Sequence, residues 1–371
     1  MAAVLSSDMD DTDKVRELIK DCRRMGITVM PPSVNSCRYR FTVADAKTIR
    51  YGLGAVKGAG QSATEAIVTE REERGVYADL FDLCRRVDKR VNRRVLEALT
   101  RAGALDGLGP SRASILASLD LALQLSQQED RARDAGMADL FGAPSTAQGP
   151  LAPAVNFVEA PDPPLRERLL AEKAVLGWSP GGHLIDEFAG EVARLNVSPL
   201  AGLKPGRRRV AGIVDDLRVR PSRRGRMAIV VLDDGTASTE VTVYSELLQT
   251  AGELLTRNEL VVIEGDYAED RFSGELSLTA EKIWSLELAR REFARAVMLR
   301  LEPADFSNGL VHELQEIFDG ATRGRCPVLV EYRHDLADAR LRLGEIAIVP
   351  SAATLGRLQS RLGPANVWVE Y

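Results

Sequence analysis

In the stretch Tyr51-Gly-Leu-Gly-Ala-Val-Lys-Gly-Ala-Gly60, two closely spaced glycines, Gly58 and Gly60, run straight into a helix-forming segment, Gln61–Glu72. Glycine lets a hairpin backbone take positive φ and approach a ligand closely. The amides at the open end of the following helix favour an anion. This is the pattern of half a helix-hairpin-helix, in which the anion is a DNA phosphate. A related pattern, Leu99-Thr-Arg-Ala-Gly-Ala-Leu-Asp-Gly-Leu-Gly109, leads into a second helix, Ser111–Leu125. A pair of such hairpins predicts a grip on a duplex backbone that is independent of sequence. Lys57, Arg93, Arg94, Arg101 and Arg112 surround them, and Lys57, Gly58, Gly60 and Arg112 are the candidate duplex contacts. The plainer alternative is that these glycines only cap helices and make turns.

A second concentration of cationic chemistry begins at Arg207. Arg207, Arg208, Arg209, Arg218, Arg220, Arg223, Arg224 and Arg226 fall in or beside one expected strand and its following loop, with only Asp215 and Asp216 nearby in sequence. Arg220, Arg223, Arg224 and Arg226 are the candidate single-strand contacts. Tyr244 and Phe272 are candidate stacking rings, Phe272 in a later loop. Aromatic residues make up only 5% of the chain, so backbone electrostatics should outweigh base stacking. The alternative is a solvated arginine face on a packing barrel.

Reacting groups are harder to find. A two-metal centre needs clustered carboxylates, but Asp8, Asp10, Asp11 and Asp13 precede a helix and read as capping and dipole charges. Asp233-Asp234-Gly235 reads as a strand-ending turn. His183, His312 and His334 are dispersed, and His183 reads as a locally bonded turn residue. Walker, nucleophile-elbow and dinucleotide fingerprints are absent. The expectation is a chain that is not itself an enzyme and holds no metal.

The elements that must position these groups follow from length and periodicity. With 371 residues, 45% hydrophobic and 28% charged, several domains are expected. The net charge of −5 does not by itself announce nucleic-acid binding, so the case rests on local patches. No apolar run has membrane-span length and no signal peptide opens the chain. Cys22, Cys37, Cys84 and Cys326 are scattered and read as reduced thiols. The opening Met1-Ala-Ala-Val-Leu5 and the acidic cluster after it read like the interior of a longer protein. A helix is expected over Thr12–Arg24, strands near Ile27–Met30, Arg38–Val43 and Thr48–Tyr51, and helices through 61–135.

Gly142–Pro164 reads as a Pro- and Ala-rich linker, followed by helices over Leu165–Val175 and Ile185–Leu195. From Arg209 the hydrophobic period changes from helical to alternating. Strands over Val210–Val219, Met227–Asp233, Thr239–Val243, Leu260–Ala268 and Glu275–Ser285, with a helix Ser245–Gly252 after the third, have the order of an OB-fold barrel. The remainder alternates strands and helices as a small α+β domain. The fold class is therefore multidomain: a helical helix-hairpin-helix region, an OB-fold barrel and a small α+β C-terminal domain. The expected divisions are 1–50, 51–141, a linker over 142–164, a helical connector over 165–206, the barrel over 207–288 and a last domain over 289–371.

Met137-Ala-Asp-Leu-Phe141 carries a different message, with Leu140 and Phe141 as adjacent anchors beside the linker. Such a segment suits a partner's groove, or it packs back on its own helix.

Together, Asp8-Met-Asp-Asp-Thr-Asp-Lys14, Pro31-Pro-Ser-Val-Asn35, Tyr51–Gly60, Asn92-Arg-Arg-Val-Leu-Glu97, Gly103-Ala-Leu-Asp106 and Glu172–His183 resemble the C-terminal part of the bacterial DNA polymerase III alpha family, the replicative C-family polymerases. The resemblance covers nearly the whole chain. It implies hairpins on primer-template duplex, an OB-fold near single-stranded template, and a last domain docking the clamp-loader tau subunit. It places a sliding-clamp motif at Met137, Asp139, Leu140 and Phe141, with Met137 where the family usually has Gln. A glutamine amide makes directional hydrogen bonds that a thioether does not. Gly181-Gly-His-Leu184 also departs from the family's Ser-Gly-His-Pro. The resemblance implies a DNA-directed polymerase whose catalytic palm, with its Mg2+, lies upstream of Met1, and a cytoplasmic, nucleoid-associated protein. The alternatives are the tail of the family's error-prone branch and an adaptor that binds proteins only.

Overall fold

The computed structural model describes residues 1–134, 156–222, 225–269, 274, 276–306, 309–334 and 337–371. They form two compact units, Met1–Gly182 and His183–Tyr371.

The first unit opens with α1 (Ala2–Ser7) and α2 (Thr12–Arg24). Asp11 caps α2 by accepting from the amides of Asp13 and Lys14 at 3.1 Å, and Lys14 pairs with Asp8 and Asp11. Val15, Ile19 and Cys22 make its buried stripe. Short strands β1 (Thr28–Met30), β2 (Thr42–Asp45) and β3 (Thr48–Arg50) form a sheet of order β1-β3-β2, with β1 parallel to β3. A 3-10 turn over Leu53–Ala55 leads to α3 (Gln61–Arg74), followed by α4 (Leu80–Arg86), α5 (Arg93–Arg101), α6 (Arg112–Asp134) and α7 (Leu165–Leu176). One apolar core runs through these elements, from Leu5 to Leu176, and includes Tyr51, Ile67, Leu96, Leu105 and Leu119.

The second unit begins with a 3-10 turn over Leu184–Phe188 and the four-residue α8 (Ala189–Val192). The expected helix Ile185–Leu195 is thus broken. His183 and Asp186 form a reciprocal cap that fits a tight turn, and Asn196 closes the segment with φ of 51°. Then follow β4 (Gly206–Ser222), β5 (Gly225–Asp233), β6 (Ser238–Val243), α9 (Ser245–Ala251), β7 (Leu260–Glu269) and β8 (Leu276–Ser285). The five strands close into a barrel of order β4-β5-β6-β8-β7, the OB-fold expected from the sequence. Inward alternation of Val210, Val214, Val230, Leu232, Val241, Val261, Ile263 and Leu278 fills it.

A helix not foreseen, α10 (Leu286–Phe293), is capped by Ser285 and leads to β9 (Ala296–Leu301), α11 (Leu310–Asp319), β10 (Arg323–His334), β11 (Ala337–Ile348), α12 (Ala352–Leu362) and β12 (Val367–Glu370). Their sheet has order β11-β10-β9-β12, with β9 and β10 parallel across α11. Val297, Leu299, Val328, Leu314 and Leu358 share its core. Within this unit Arg290 clamps the Glu191 carboxylate at 2.7 and 2.6 Å, and the Tyr371 hydroxyl joins the same carboxylate. All the cysteines are free and buried: Cys22, Cys37 and Cys84 in the core of the first unit, Cys326 in the core of the C-terminal sheet.

Candidate nucleic-acid interface

The first hairpin is built as its glycines suggested. Gly58 has φ of 95° and Gly60 of 70°, and Gly60 stands at the N-terminus of α3 with no side chain capping it. Gly58, Gly60, Gln61 and Ser62 are exposed, whereas Ala59 is fully buried and fastens the loop to the core. Lys57 is exposed, and among the described residues no carboxylate pairs with it. Its amide donates to the carbonyl of Val175 at 2.9 Å, near the end of α7. An uncapped helix end, a backbone pushed outward by left-handed glycines and an unpaired ammonium together suit a phosphate.

The second hairpin is different. Ser111 caps α6 by accepting from the Ser114 amide at 3.1 Å. Arg112, a candidate duplex contact, points into the protein. Asp106 takes two of its guanidinium nitrogens at 2.7 Å each, and Glu172 of α7 takes the third at 2.7 Å. Burial works against its charge, but the hydrogen bonds and field of both carboxylates outweigh it and raise its pKa above an arginine's usual value. With two carboxylates for one guanidinium, this hairpin offers no net positive charge to a phosphate. All three guanidinium nitrogens of Arg112 are therefore engaged within the protein. Arg93 and Arg101 are also paired, with Asp120 and Glu97.

The arginines of the barrel separate in the same way. Arg209 lies directly across the ladder from Glu264 on β7, and its guanidinium reaches that carboxylate at 2.6 Å while resting over the Phe293 ring at 4.0 Å. Arg207 shares Glu264 at 2.8 Å and reaches Glu281 at 3.0 Å. Arg208 donates to the carbonyls of Lys204 and Pro205. Arg218 binds Asp216 at 2.7 Å, which also receives Arg257. Burial opposes ionisation of Asp216, yet the Leu217 amide and the two arginines hold its carboxyl below the usual range. Arg220 and Arg226 remain exposed and without a partner among the described residues. Arg220 pairs in register with Met227, and Arg226 with Pro221, so alternation sends the two side chains to opposite faces of the β4–β5 ribbon. Tyr244, 50% exposed, follows the Val243–Ala228 pair, and Ser245 abuts Gly225 at the mouth of that ribbon. Arg223, Arg224 and Phe272 lie outside the described residues, as do Met137, Asp139, Leu140 and Phe141.

Three residues escaped the sequence reading. Glu172 and Glu264 lie far along the chain from the arginines they neutralise, so spacing gave no sign of them. Asp233 was read as a turn residue, but it also accepts from His183 Nε2 at 3.3 Å and from the Gly235 amide at 2.8 Å. Among the described residues no group of three or more His, Cys, Asp or Glu is placed to hold a metal ion, and no helix is long and apolar enough to cross a membrane.

Comparison with known proteins matches the same regions. A helix-hairpin-helix motif model covers residues 26–115, and an OB-fold nucleic acid binding domain model covers 209–286. The whole chain is similar to the DNA polymerase III subunit alpha of Pseudomonas aeruginosa (40% identity, 33% of that protein's length). Proteins of the same name from Vibrio cholerae (38%, 32% of its length) and Escherichia coli strain K12 (35%, 32% of its length) also match the entire chain. The chain thus spans about a third of the length of these relatives. A solved structure, OBody AM1L10 bound to hen egg-white lysozyme, is 27% identical and covers 24% of this chain and 87% of that one, with a TM-score of 0.19.

Proposed function

We infer that this chain, which is related over its whole length to DNA polymerase III alpha subunits, supplies DNA-holding surfaces to template-directed DNA synthesis. The observation that carries the reading is the first hairpin: an uncapped α3 behind two left-handed glycines, with Lys57 exposed and unpaired among the described residues. In this reading Lys57 and the uncapped amides at the start of α3, which the positive-φ glycines Gly58 and Gly60 lead into, hold duplex phosphates without regard to sequence. The β4–β5 ribbon presents Arg220 on one face and Arg226 on the other, with Arg223 and Arg224 between them in sequence, so that a single strand crossing its end can meet cations on both sides, and Tyr244 offers a stacking face. The second hairpin serves as internal scaffolding. Nucleotidyl transfer belongs to parts of such a polymerase that this chain does not span. As finer assignments, the reading gives Met137–Phe141 to a sliding clamp and residues 289–371 to the clamp-loader tau subunit.

Salt titration of DNA binding tests it. Each lost phosphate contact lowers the slope of log affinity against log salt by about 0.9 on duplex and about 0.7 on single strands. Lys57→Ala should flatten the duplex slope by about one contact. The combined Arg220, Arg223, Arg224 and Arg226→Ala variant should flatten the single-strand slope by roughly three units, and Arg112→Ala should flatten neither. Unchanged slopes in the first two variants would refute the reading.

A further inference from the structure

Helix α7 touches both hairpins. Glu172 and Val175 stand three residues apart, on one side of the helix. The Val175 carbonyl lies in the last turn, where the helix itself leaves it without a donor, and it accepts the Lys57 amide of the first hairpin at 2.9 Å. The Glu172 carboxylate, 0% exposed, accepts from Arg112 of the second hairpin with Oε1 and from the Gly181 amide with Oε2 at 2.9 Å. Close approach is built in at both ends of this strut. A Cβ on Gly181 would stand 2.9 Å from Oε1, and one on Gly177 would stand 2.6 Å from Thr12 Cγ2.

We propose that Glu172 is a positioning residue for DNA binding: by holding α7 to both Arg112 and the Gly181 turn it fixes the Val175 carbonyl, and through it the Lys57 peptide of the hairpin that faces DNA. The proposal rests on the reading of that hairpin as a phosphate grip, and extends it to a buried residue that no ligand touches. A carboxylate in this place has a distinctive signature. By charge alone, its removal should favour binding of a polyanion. As a positioning group, its removal should weaken binding, because the Gly181 amide and part of Arg112 are left unpaired and α7 loosens.

The test compares the unmodified chain with Glu172→Gln and with the double variant Arg112→Met/Glu172→Met, by amide exchange and by duplex titration. Glutamine's carbonyl still accepts from Arg112, but its amide nitrogen cannot accept from Gly181. In Glu172→Gln the Lys57 amide should exchange roughly tenfold faster while the Ile67 amide in α3 keeps its protection, and duplex affinity should fall about tenfold at an unchanged salt slope. The double variant, which replaces the ion pair by apolar side chains but likewise leaves the Gly181 amide without an acceptor, should show both losses again. Unchanged Lys57 protection in Glu172→Gln overturns the proposal, as does loss of protection spread equally over α3 and α5, or tighter duplex binding. If Lys57 responds as expected but even the unmodified chain ignores duplex, the mechanical link stands and the DNA reading of the hairpin falls.

Discussion

Gly60→Ala isolates the backbone strain that the first hairpin holds. Gly60 has φ of 70° and ψ of 145°, and an added Cβ would meet nothing within 4 Å. No clash contributes, so the whole penalty is torsional. That conformation costs a side-chain-bearing residue about 1–3 kcal/mol, while alanine restricts the unfolded chain and returns about 0.4–1 kcal/mol. The net expectation is a loss of roughly 0.5–2 kcal/mol. Trp178 is the one tryptophan of the first unit, with Trp284 and Trp368 in the second, so urea unfolding followed in a Trp284→Phe/Trp368→Phe background reads the first unit alone. The variant can relieve its strain by rotating the peptide ahead of Gln61, which turns an amide away from the phosphate position. Duplex affinity should therefore fall by more than the stability change explains. D-Alanine, introduced by semisynthesis, accepts positive φ and should restore both. An L-alanine variant as stable as the parent and binding duplex equally well would refute the reasoning, since the hairpin backbone would then not be held in that conformation.

Elsewhere in the molecule, Gly265→Ala should prevent stable closure of the barrel, because its Cβ would fall inside contact distance of the Thr279 carbonyl at the β7–β8 register shift; the second unit's thermal transition reports this. Glu191→Ala leaves Arg290 buried without its partner and should cost about 3–5 kcal/mol in the same transition. Burial tends to raise the Asp233 carboxyl, but hydrogen bonds from His183, Gly235 and Ser238 hold it below its ordinary value. Its folded value is lower than its unfolded one, so its contribution is present above about pH 4 and is lost as pH falls through the folded value. Urea unfolding from pH 6 to pH 2 should show that loss in the parent, and Asp233→Asn should remove this part of the pH dependence.

What the sequence made visible was whatever depends on near neighbours. The change of period at Arg209 marked the barrel, Asp11 marked the start of α2, and the closely spaced glycines marked an open helix end. The start of β4 was harder to see: Arg207, Arg208 and Arg209 hide the alternation, which exists because Arg207 and Arg209 share one face and meet Glu264 on β7. Helix α10 was missed because β8 passes into it through Ser285 with no glycine or proline between them. The overestimate of the cationic surface has one cause. Glu172, Glu264 and the register of β7 against β4 are tertiary facts, and an arginine's availability depends on them more than on its sequence neighbours.

The buried thiols give the molecule an internal gauge of its own opening. Burial pushes Cys84 up to about 12 and Cys326 up to about 11, so at neutral pH neither presents a reactive thiolate while its unit is closed. Alkylation must then wait for an opening event, and its rate measures how often that event occurs. Cys326 times the α+β end of the second unit, and Cys37, beneath Arg71 and the approach to the first hairpin, times the first. Added DNA should slow labelling of whichever unit it holds, which turns the position of a ligand into a difference between two clocks.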